Sequence, residues 1–181
     1  MTNCPIGQIL LKPNLSGRAS PEIPSHLTSS SLRNSQFQMD AFYLREQYLL
    51  KRFVAEVSQY QKQGESKDYQ LAEDHGRAFS EKAILQTFSD VEATLPAGSL
   101  KDVLGLLRSM YALVCREEDA AFLRYGYLSP DNAAAVSKEV TKLCSELRPN
   151  ALALVSSFGI PNAFLSPIAF NWIESNSWSS T

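Results

Sequence analysis

Four long segments of this chain place apolar residues at steps of three and four, the spacing that puts side chains on one face of an α-helix. The clearest series is Leu100, Val103, Leu107, Met110 and Val114. A helix with one apolar face has to bury that face against another element, so four such segments predict helix packed on helix. We predict an all-α fold, an antiparallel four-helix bundle whose helices each exceed twenty residues.

The first two predicted helices cover about residues 35–62 and 68–94. They end at the breaks Gly64-Glu65-Ser66 and Pro96-Ala97-Gly98. The residues expected in their buried stripes are Phe37, Ala41, Leu44, Tyr48, Leu49, Phe53, Val57 and Tyr60 in the first helix, and Leu71, His75, Ala78, Phe79, Ile84, Phe88, Val91 and Leu95 in the second.

The third predicted helix begins at Ser99, whose hydroxyl we expect to cap the first turn, with Asp102 completing a capping box. Gly105 lies inside this helix, where glycine costs about 1 kcal/mol relative to alanine. We therefore expect a neighbouring backbone to approach Gly105 closely. The acidic run Glu117-Glu118-Asp119 ends the helix, and a loop is expected over 122–127.

The fourth predicted helix has the start signal Ser129-Pro130-Asp131, a capping residue followed by proline and an acid in the first turn. Pro149 removes a backbone hydrogen bond, so a kink is expected around 146–148. Gly159-Ile160-Pro161 ends the helix. Its expected stripe is Val136, Val140, Leu143, Leu147, Ala151, Leu154 and Phe158.

The two ends of the chain differ from the bundle. Residues 1–34 are predicted to form a proline-rich extended arm, and residues 35–181 the helical bundle with an apolar C-terminal tail. The tail is expected to pack across the bundle or against another chain. Its apolar residues are Phe164, Leu165, Pro167, Ile168, Phe170, Trp172 and Ile173.

Charge and composition exclude several classes of partner. The formal net charge is -2, and acidic and basic residues are mixed along the chain. Lys51-Arg52 is the only adjacent basic pair, and we interpret it as part of a solvated helix face. No nucleic-acid partner is therefore expected. Neither a membrane-spanning run nor a secretory signal is present, so no membrane contact is expected. Cys115 and Cys144 lie in apolar patterns and are expected to be buried free thiols.

No catalytic, cofactor-binding or metal-binding residue is predicted. His75 follows Glu73 and Asp74, but a di-iron bundle needs Glu-x-x-His on two helices, so a helix-borne histidine at a boundary position is the favoured interpretation. Pairs of Cys115 or Cys144 with His75 lack a supporting motif. The acidic run 117–119 is interpreted as solvated surface rather than paired carboxylates, and the apolar stripes as core rather than a fatty-acyl tunnel.

Over about residues 23–180 the chain resembles the C-terminal helical domain of plant peroxisomal acyl-CoA oxidases, closest to the medium-chain type. The segments that carry this resemblance occur in order along nearly the whole chain. They are 23–30 (IPSHLTSS), 71–74 (LAED), 82–87 (KAILQT), 101–106 (KDVLGL), 108–113 (RSMYAL), 123–129 (LRYGYLS), 146–149 (ELRP), 157–161 (SFGIP) and 164–174 (FLSPIAFNWIE).

The resemblance implies an FAD enzyme that oxidises acyl-CoA to trans-2-enoyl-CoA and reduces oxygen to hydrogen peroxide. It implies that this bundle supports a homodimer, or pairs with other acyl-CoA oxidase subunits, around the flavin. In that family a glutamate in a Glu-Gly-[Glu/Asp]-Asn segment removes the substrate α-proton, and this chain has neither that segment nor the β-domain. We therefore expect a truncated chain that is inactive alone, holds no FAD by itself and meets acyl-CoA only in the full-length context.

The resemblance implies a peroxisomal location, but the chain ends in Ser179-Ser180-Thr181 rather than a Ser-Lys-Leu-type address. A truncated product without a signal would be cytosolic. Residues 1–18 do not match the family, and 64–70 is shorter than its counterpart. An alternative function is a non-catalytic interaction module that pairs with full-length oxidase subunits. An apolar patch carrying Trp172, Ile173 and Trp178 would favour self-association.

Overall fold

The computed structural model describes residues 27–63, 69–119, 122, 129–161 and 164, and this part of the chain is helical without strands. The predicted all-α class is confirmed. Its helices are α1 (Ser29–Arg33), α2 (Ser35–Gln63), α3 (Tyr69–Thr94), α4 (Ser99–Glu118), α5 (Pro130–Leu147) and α6 (Ala151–Ser157), with a 3₁₀ turn at Arg148–Asn150 before α6.

Consecutive long helices run antiparallel, as their contacts show. Near the start of α2, the Ser35 hydroxyl lies 3.2 Å from that of Ser89 near the end of α3. Further along α2, the Phe53 ring stacks on His75 near the start of α3, with ring centroids 6.3 Å apart. From the first contact to the second, the residue number rises along α2 and falls along α3, so the two helices are antiparallel as predicted.

The pair α3–α4 follows the same rule. Glu92 near the end of α3 binds Arg108 at 2.5 Å, while Arg77 near its start approaches Glu118 at the end of α4 at 3.9 Å. Helix α5 then packs on α4, so the helices are laid down in chain order with short connections. At 20 and 18 residues, α4 and α5 are shorter than the more-than-twenty residues predicted.

Helix α1 contradicts the prediction of an extended arm up to residue 34. The Thr28 side chain accepts a hydrogen bond from the Ser31 backbone amide, and the Ser31 side chain accepts one from the Thr28 amide, which closes a capping box. Leu27 and Leu32 lie in the hydrophobic core. The capping box and the burial of these two leucines stabilise a helix here, although prolines precede it closely in the sequence. Residues 1–26 of the predicted arm lie outside the described residues.

The core departs from the predicted stripes in the second half of α3 and on α4. In the first half of α3 Leu71, His75 and Ala78 are buried as predicted, but further along Leu85 is fully buried whereas Ile84 is 46% exposed. On α4 the buried face carries Ala112 and Leu113, whereas Leu100 from the predicted stripe is 67% exposed. The core cluster is Leu27, Leu32, Ala41, Phe42, Leu85, Ala112, Leu113, Cys115, Phe122, Val136 and Leu143.

Helix ends follow the sequence signals with one exception. Ser129 caps α5 by accepting from the Asn132 amide, with Pro130 in the first turn, as predicted. The predicted cap at Ser99 is wrong: Gly98, at φ 154°, is the capping residue, and it provides no side-chain hydrogen bond. A backbone in that conformation favours glycine, so the chain turns one residue earlier than the serine signal suggests.

Pro149 interrupts the last helical segment where a kink was predicted. The α-helix ends at Leu147, and a 3₁₀ turn over Arg148–Asn150 links it to α6. Gly159, at φ 62°, ends α6 in the left-handed conformation that favours glycine, which confirms the predicted stop.

Candidate interaction surfaces and the buried charge layer

His75 is buried, which confirms its place in the predicted stripe of the second helix and contradicts its interpretation as a boundary residue. Its ring lies nearly parallel to that of Phe53, and its Nε2 has no hydrogen-bond partner among the described residues. Burial lowers the pKa of His75, an effect that Glu46 partly opposes. Among the described residues no cluster of histidine, cysteine and carboxylate side chains could hold a metal ion.

The two described cysteines differ in exposure. Cys115 is buried in the core as predicted, but Cys144 is exposed on α5, so the prediction was wrong for Cys144. Burial raises the pKa of the Cys115 thiol to about 11. A thiol with that pKa is almost entirely protonated near neutral pH and is a poor nucleophile.

The acidic run at the end of α4 is only partly solvated surface. Glu117 and Glu118 are exposed, as predicted, but Asp119 accepts a hydrogen bond from Arg45 at 2.8 Å. Arg45 has a fully buried side chain and also donates to Glu81 at 2.6 Å. This buried cation therefore joins α2, α3 and the end of α4.

Aromatic faces complete the surroundings of Arg45. Its guanidinium carbon lies 5.0 Å from the centroid of Phe42 and 4.7 Å from that of Phe122. Ring faces attract a desolvated cation, and guanidinium is the basic group most often found in such stacks. Sequence inspection gave Arg45 no role.

A second buried arginine explains Gly105. Arg108 donates to Glu92 at 2.5 Å and to the Gln38 side-chain oxygen, and it also reaches the Arg33 carbonyl at 3.3 Å. A Cβ at Gly105 would lie 3.1 Å from a Glu92 carboxylate oxygen. The predicted close approach is therefore present, but it comes from a carboxylate side chain and not from a backbone.

Arg33 on α1 binds α5 through two carboxylates. It donates through Nε to Glu139 at 2.5 Å and through its terminal nitrogens to Glu146 at 2.8 and 2.9 Å. These bonds lower the pKa of both carboxyls. The Ser29 hydroxyl adds a 2.6 Å bond to Glu139, so α1 is held to α5 by ionic contacts as well as by Leu32.

Arg116 has no carboxylate partner among the described residues. Its side chain donates to the Phe37 carbonyl at 3.3 Å, and its guanidinium lies 4.8 Å from the centroid of the Phe37 ring. Burial lowers its pKa to about 10, so it stays protonated at neutral pH. Its hydrogen bond and ring contact join α2 to α4.

These buried charged groups join the helices to one another. The carboxylates that contact Arg33, Arg45 and Arg108 are each engaged by a guanidinium from another helix. The exposed Lys51-Arg52 pair agrees with the predicted solvated face, since Arg52 forms an ordinary i,i+4 ion pair with Glu56 at 2.9 Å.

An open groove of about 300 Å³ lies on the outside of α3 and α4. Its lining has one hydroxyl and otherwise apolar side chains, and the exposed Leu100 is one turn of α4 away from it. The helix register fixed by the core points these apolar residues outward. The lining residues are Ile84, Thr87, Phe88, Val91 and Leu104.

A second apolar surface lies on α6 and the residues after it. None of the residues of α6 is buried, and in this segment Phe158 is 78% exposed. Positions 149–173 contain no charged side chain. Among the predicted tail residues Phe164 is described and exposed, whereas 165–181 lie outside the described residues. The exposed large apolar residues here are Leu152, Val155, Phe158, Ile160 and Phe164.

Residues 34–169 match the family model for acyl-CoA oxidase. The chain belongs to the acyl-CoA oxidase family. None of its described helices is long and apolar enough to cross a membrane.

Two Arabidopsis thaliana proteins illustrate the extent of this similarity. One, named as an acyl-coenzyme A oxidase, is 64% identical over 166 residues that cover 88% of this chain and 89% of that protein. Peroxisomal acyl-coenzyme A oxidase 3 is also 64% identical over 166 residues, but these cover only 25% of its length. The similarity thus extends over most of a short relative and over a quarter of a long one.

More distant relatives agree. Human peroxisomal acyl-coenzyme A oxidase 3 is 36% identical over 133 residues, which cover 67% of this chain and 19% of that protein. The crystal structure of acyl-CoA oxidase 3 from Yarrowia lipolytica superposes with a TM-score of 0.60 at 23% identity, over 90% of this chain and 23% of that one. That superposition supports the fold.

Proposed function

We propose that this chain is a helical scaffold for acyl-CoA oxidase, the peroxisomal FAD enzyme that converts acyl-CoA and oxygen to trans-2-enoyl-CoA and hydrogen peroxide. In this role the bundle supports a homodimer and the flavin site but performs no step of the oxidation. The single observation that carries the proposal is the combination of an ion-paired interior with exposed apolar surfaces outside it.

The described residues do not fit the flavin cofactor. A flavin dinucleotide needs hydrogen-bond donors and positive charge at its pyrophosphate. The groove offers a single hydroxyl, on Thr87, among apolar side chains. Three of the arginines are committed inside the bundle: Arg45 and Arg108 bind carboxylates, and Arg116 is buried against Phe37. We therefore assign no redox step to this part of the chain.

Family membership supports the oxidase context, and the exposed apolar surfaces support the scaffold role. Monomeric soluble proteins rarely leave large contiguous apolar patches uncovered. A bundle in a larger oxidase would cover such patches with another domain or subunit. A second candidate function, an interaction module that binds full-length oxidase subunits in trans, is favoured by the same uncharged surface on α6.

A chimera tests the scaffold role directly. Residues 34–169 of this chain would replace the corresponding segment of the Arabidopsis peroxisomal acyl-coenzyme A oxidase 3, which is 64% identical to this chain over 166 residues. We expect the chimera to retain most of the FAD content and hydrogen peroxide production of the parent. Deletion of the same segment should abolish both. Loss of FAD and activity in a chimera that remains folded by circular dichroism would contradict the proposal.

The isolated chain provides the complementary test. Incubated with FAD and a medium-chain acyl-CoA, it should produce no hydrogen peroxide above background and bind no FAD in a fluorescence titration. Production above background would refute the assignment of the chemistry to other parts of the enzyme. The trans alternative would be supported if the chain co-sediments with the full-length Arabidopsis enzyme and changes its specific activity.

A further inference from the structure

We propose that Ser29 is a phosphorylation site and that a phosphate on it releases α1 from the bundle. Helix α1 lies against α2, α4 and α5, and its attachment to α5 includes the hydrogen bond from the Ser29 hydroxyl to Glu139. The modifying enzyme would be a serine kinase that uses a nucleoside triphosphate. This control of α1 would act whether or not the bundle serves as a scaffold.

Ser29 combines an exposed position with a contact to a buried group. The residue lies on the surface of α1, whereas Glu139, which accepts its 2.6 Å hydrogen bond, is only 4% exposed. Among the described residues, Ser29 is the exposed hydroxyl that donates to a carboxylate of another helix. Hydroxyls elsewhere on the surface donate to carbonyls of their own helix, so a phosphate there would stay in solvent and disturb no neighbour. They include Ser58, Ser80, Thr87, Thr141 and Ser145.

Phosphorylation would turn this contact from attractive to repulsive. The Ser29 oxygen attacks the γ-phosphorus of the nucleoside triphosphate, so an O–P bond forms while the bond to the departing nucleoside diphosphate breaks, and a base of the kinase takes the hydroxyl proton. Ser29 thereby loses the hydrogen that it donates to Glu139 and gains a charge of about -1.5 to -2 at pH 7. Water screens the nearly buried Glu139 poorly, so the two negative groups repel each other strongly.

Arg33 extends the effect to the rest of the attachment. It holds α5 through Glu139 at 2.5 Å and through Glu146 at 2.8 and 2.9 Å. Arg33 also lies four residues after Ser29, so both side chains project from one face of α1. A phosphate is a strong acceptor for guanidinium, and bonds that Arg33 forms with it would replace its bonds to α5.

Release of α1 would reach the interior of the bundle. Leu27 and Leu32 would leave the hydrophobic core together with the helix. The α1 backbone also accepts hydrogen bonds from buried side chains: the Leu32 carbonyl from Gln38 at 2.7 Å, and the Arg33 carbonyl from Arg108 at 3.3 Å. Losing these acceptors leaves buried donors unsatisfied, which is costly. The exposed Ser29 is therefore coupled to the core.

Phosphoserine incorporated at position 29 of the 181-residue chain by genetic code expansion tests this coupling. We expect the equilibrium constant for unfolding, measured by chemical denaturation, to rise by about tenfold or more. The amide hydrogens of α1 should exchange faster than in the unmodified chain. The matched control carries phosphoserine at position 30, because Ser30 is exposed and its hydroxyl contacts Thr28 and not α5. Its unfolding constant should change by less than about threefold.

Glu139→Gln separates charge repulsion from general disturbance of α1. A glutamine amide can donate to a phosphate, so phosphoserine at position 29 should destabilise this variant less than the parent chain. Equal effects of phosphoserine at positions 29 and 30 would overturn the proposal. So would a chain that phosphoserine at position 29 stabilises, because Arg33 and Lys142, one turn after Glu139, would then hold the phosphate on α5.

Incubation of the unmodified chain with an Arabidopsis cell extract and ATP tests whether a kinase recognises the site. Mass spectrometry of the digested chain should place a phosphate on Ser29, and Ser29→Ala should remove it. A chain with no phosphate on Ser29 after incubation would overturn the assignment of the site. The denaturation experiments decide the release of α1 independently of that result.

Discussion

Replacing Arg45 by methionine removes the cation that joins three elements of the bundle. Its side chain is fully buried, and it donates to Glu81 at 2.6 Å and to Asp119 at 2.8 Å. Methionine has similar length and flexibility, so it fills much of the same space beside the ring of Phe122. The substitution therefore mainly tests the ionic contacts rather than the packing.

The expected loss follows from what remains after the change. Removing one partner of a buried ion pair costs about 3–5 kcal/mol because the other charge stays buried and unpaired. Here Glu81 keeps a 2.7 Å bond to Arg77, and both carboxylates retain some exposure. We therefore expect the lower end of that 3–5 kcal/mol range, so Arg45→Met should lower the free energy of unfolding by about 3 kcal/mol. For a chain of this length, that corresponds to a melting temperature about 6–12 °C lower.

Chemical denaturation followed by circular dichroism at 222 nm measures this change. The matched control is Arg52→Met on the same helix, because Arg52 is partly exposed and forms an i,i+4 pair with Glu56. That variant should lose no more than about 0.5 kcal/mol. If Arg45→Met lowers the free energy of unfolding by less than about 1 kcal/mol, or by no more than Arg52→Met does, the ionic contacts of Arg45 do not hold the helices together.

Burial lowers the pKa of His75, so the contribution of the neutral ring to the free energy of unfolding is complete above about pH 6.5 and is lost as pH falls through the lower pKa of the folded state. The denaturant concentration at the midpoint of unfolding should therefore drop between pH 7.5 and 5.5. The drop should be smaller in His75→Phe. Arg33→Met should cost about 2 kcal/mol, because the buried Glu139 keeps only the Ser29 bond. Adding Glu139→Gln should restore part of that loss in denaturation experiments, and no restoration would contradict the pairing. Iodoacetamide should modify Cys144 rapidly and Cys115 slowly at pH 8 by mass spectrometry, and equal rates would contradict the burial of Cys115.

Local signals predicted the helices well because they depend on near neighbours in the chain. The cap at Ser129, the interruption at Pro149 and the stop at Gly159 all lie where the sequence placed them. The capping box at Thr28 was equally local, with serine at the third helical position, but the surrounding prolines led to its being missed. Attention to that spacing would have predicted α1.

The candidate surfaces could not be predicted, because periodicity gives a helix face but not its partner. On α4 the series that includes Leu100 has a perfect spacing, and yet the core takes Leu113 and its neighbours together with Arg108 and Arg116. Part of the buried face is a second series at steps of four, Arg108–Ala112–Arg116, in which two of the three residues are charged. Carboxylates and carbonyls from other helices are what allow these arginines to be buried.

The sequence by itself determined the all-α class, the long helices and their ends, and the membership in the acyl-CoA oxidase family, since propensity, capping and the order of matched segments are properties of the chain alone. Only the tertiary structure decided which of the predicted apolar faces are covered: Val136, Leu143 and Leu147 are buried on α5 as predicted, whereas Ile84 on α3 and Leu100 on α4 are exposed. That choice depends on the summed packing and ion pairing of several helices at once. It buries Arg45 among rings and carboxylates and leaves Ile84 and Phe158 exposed on the outside of the bundle.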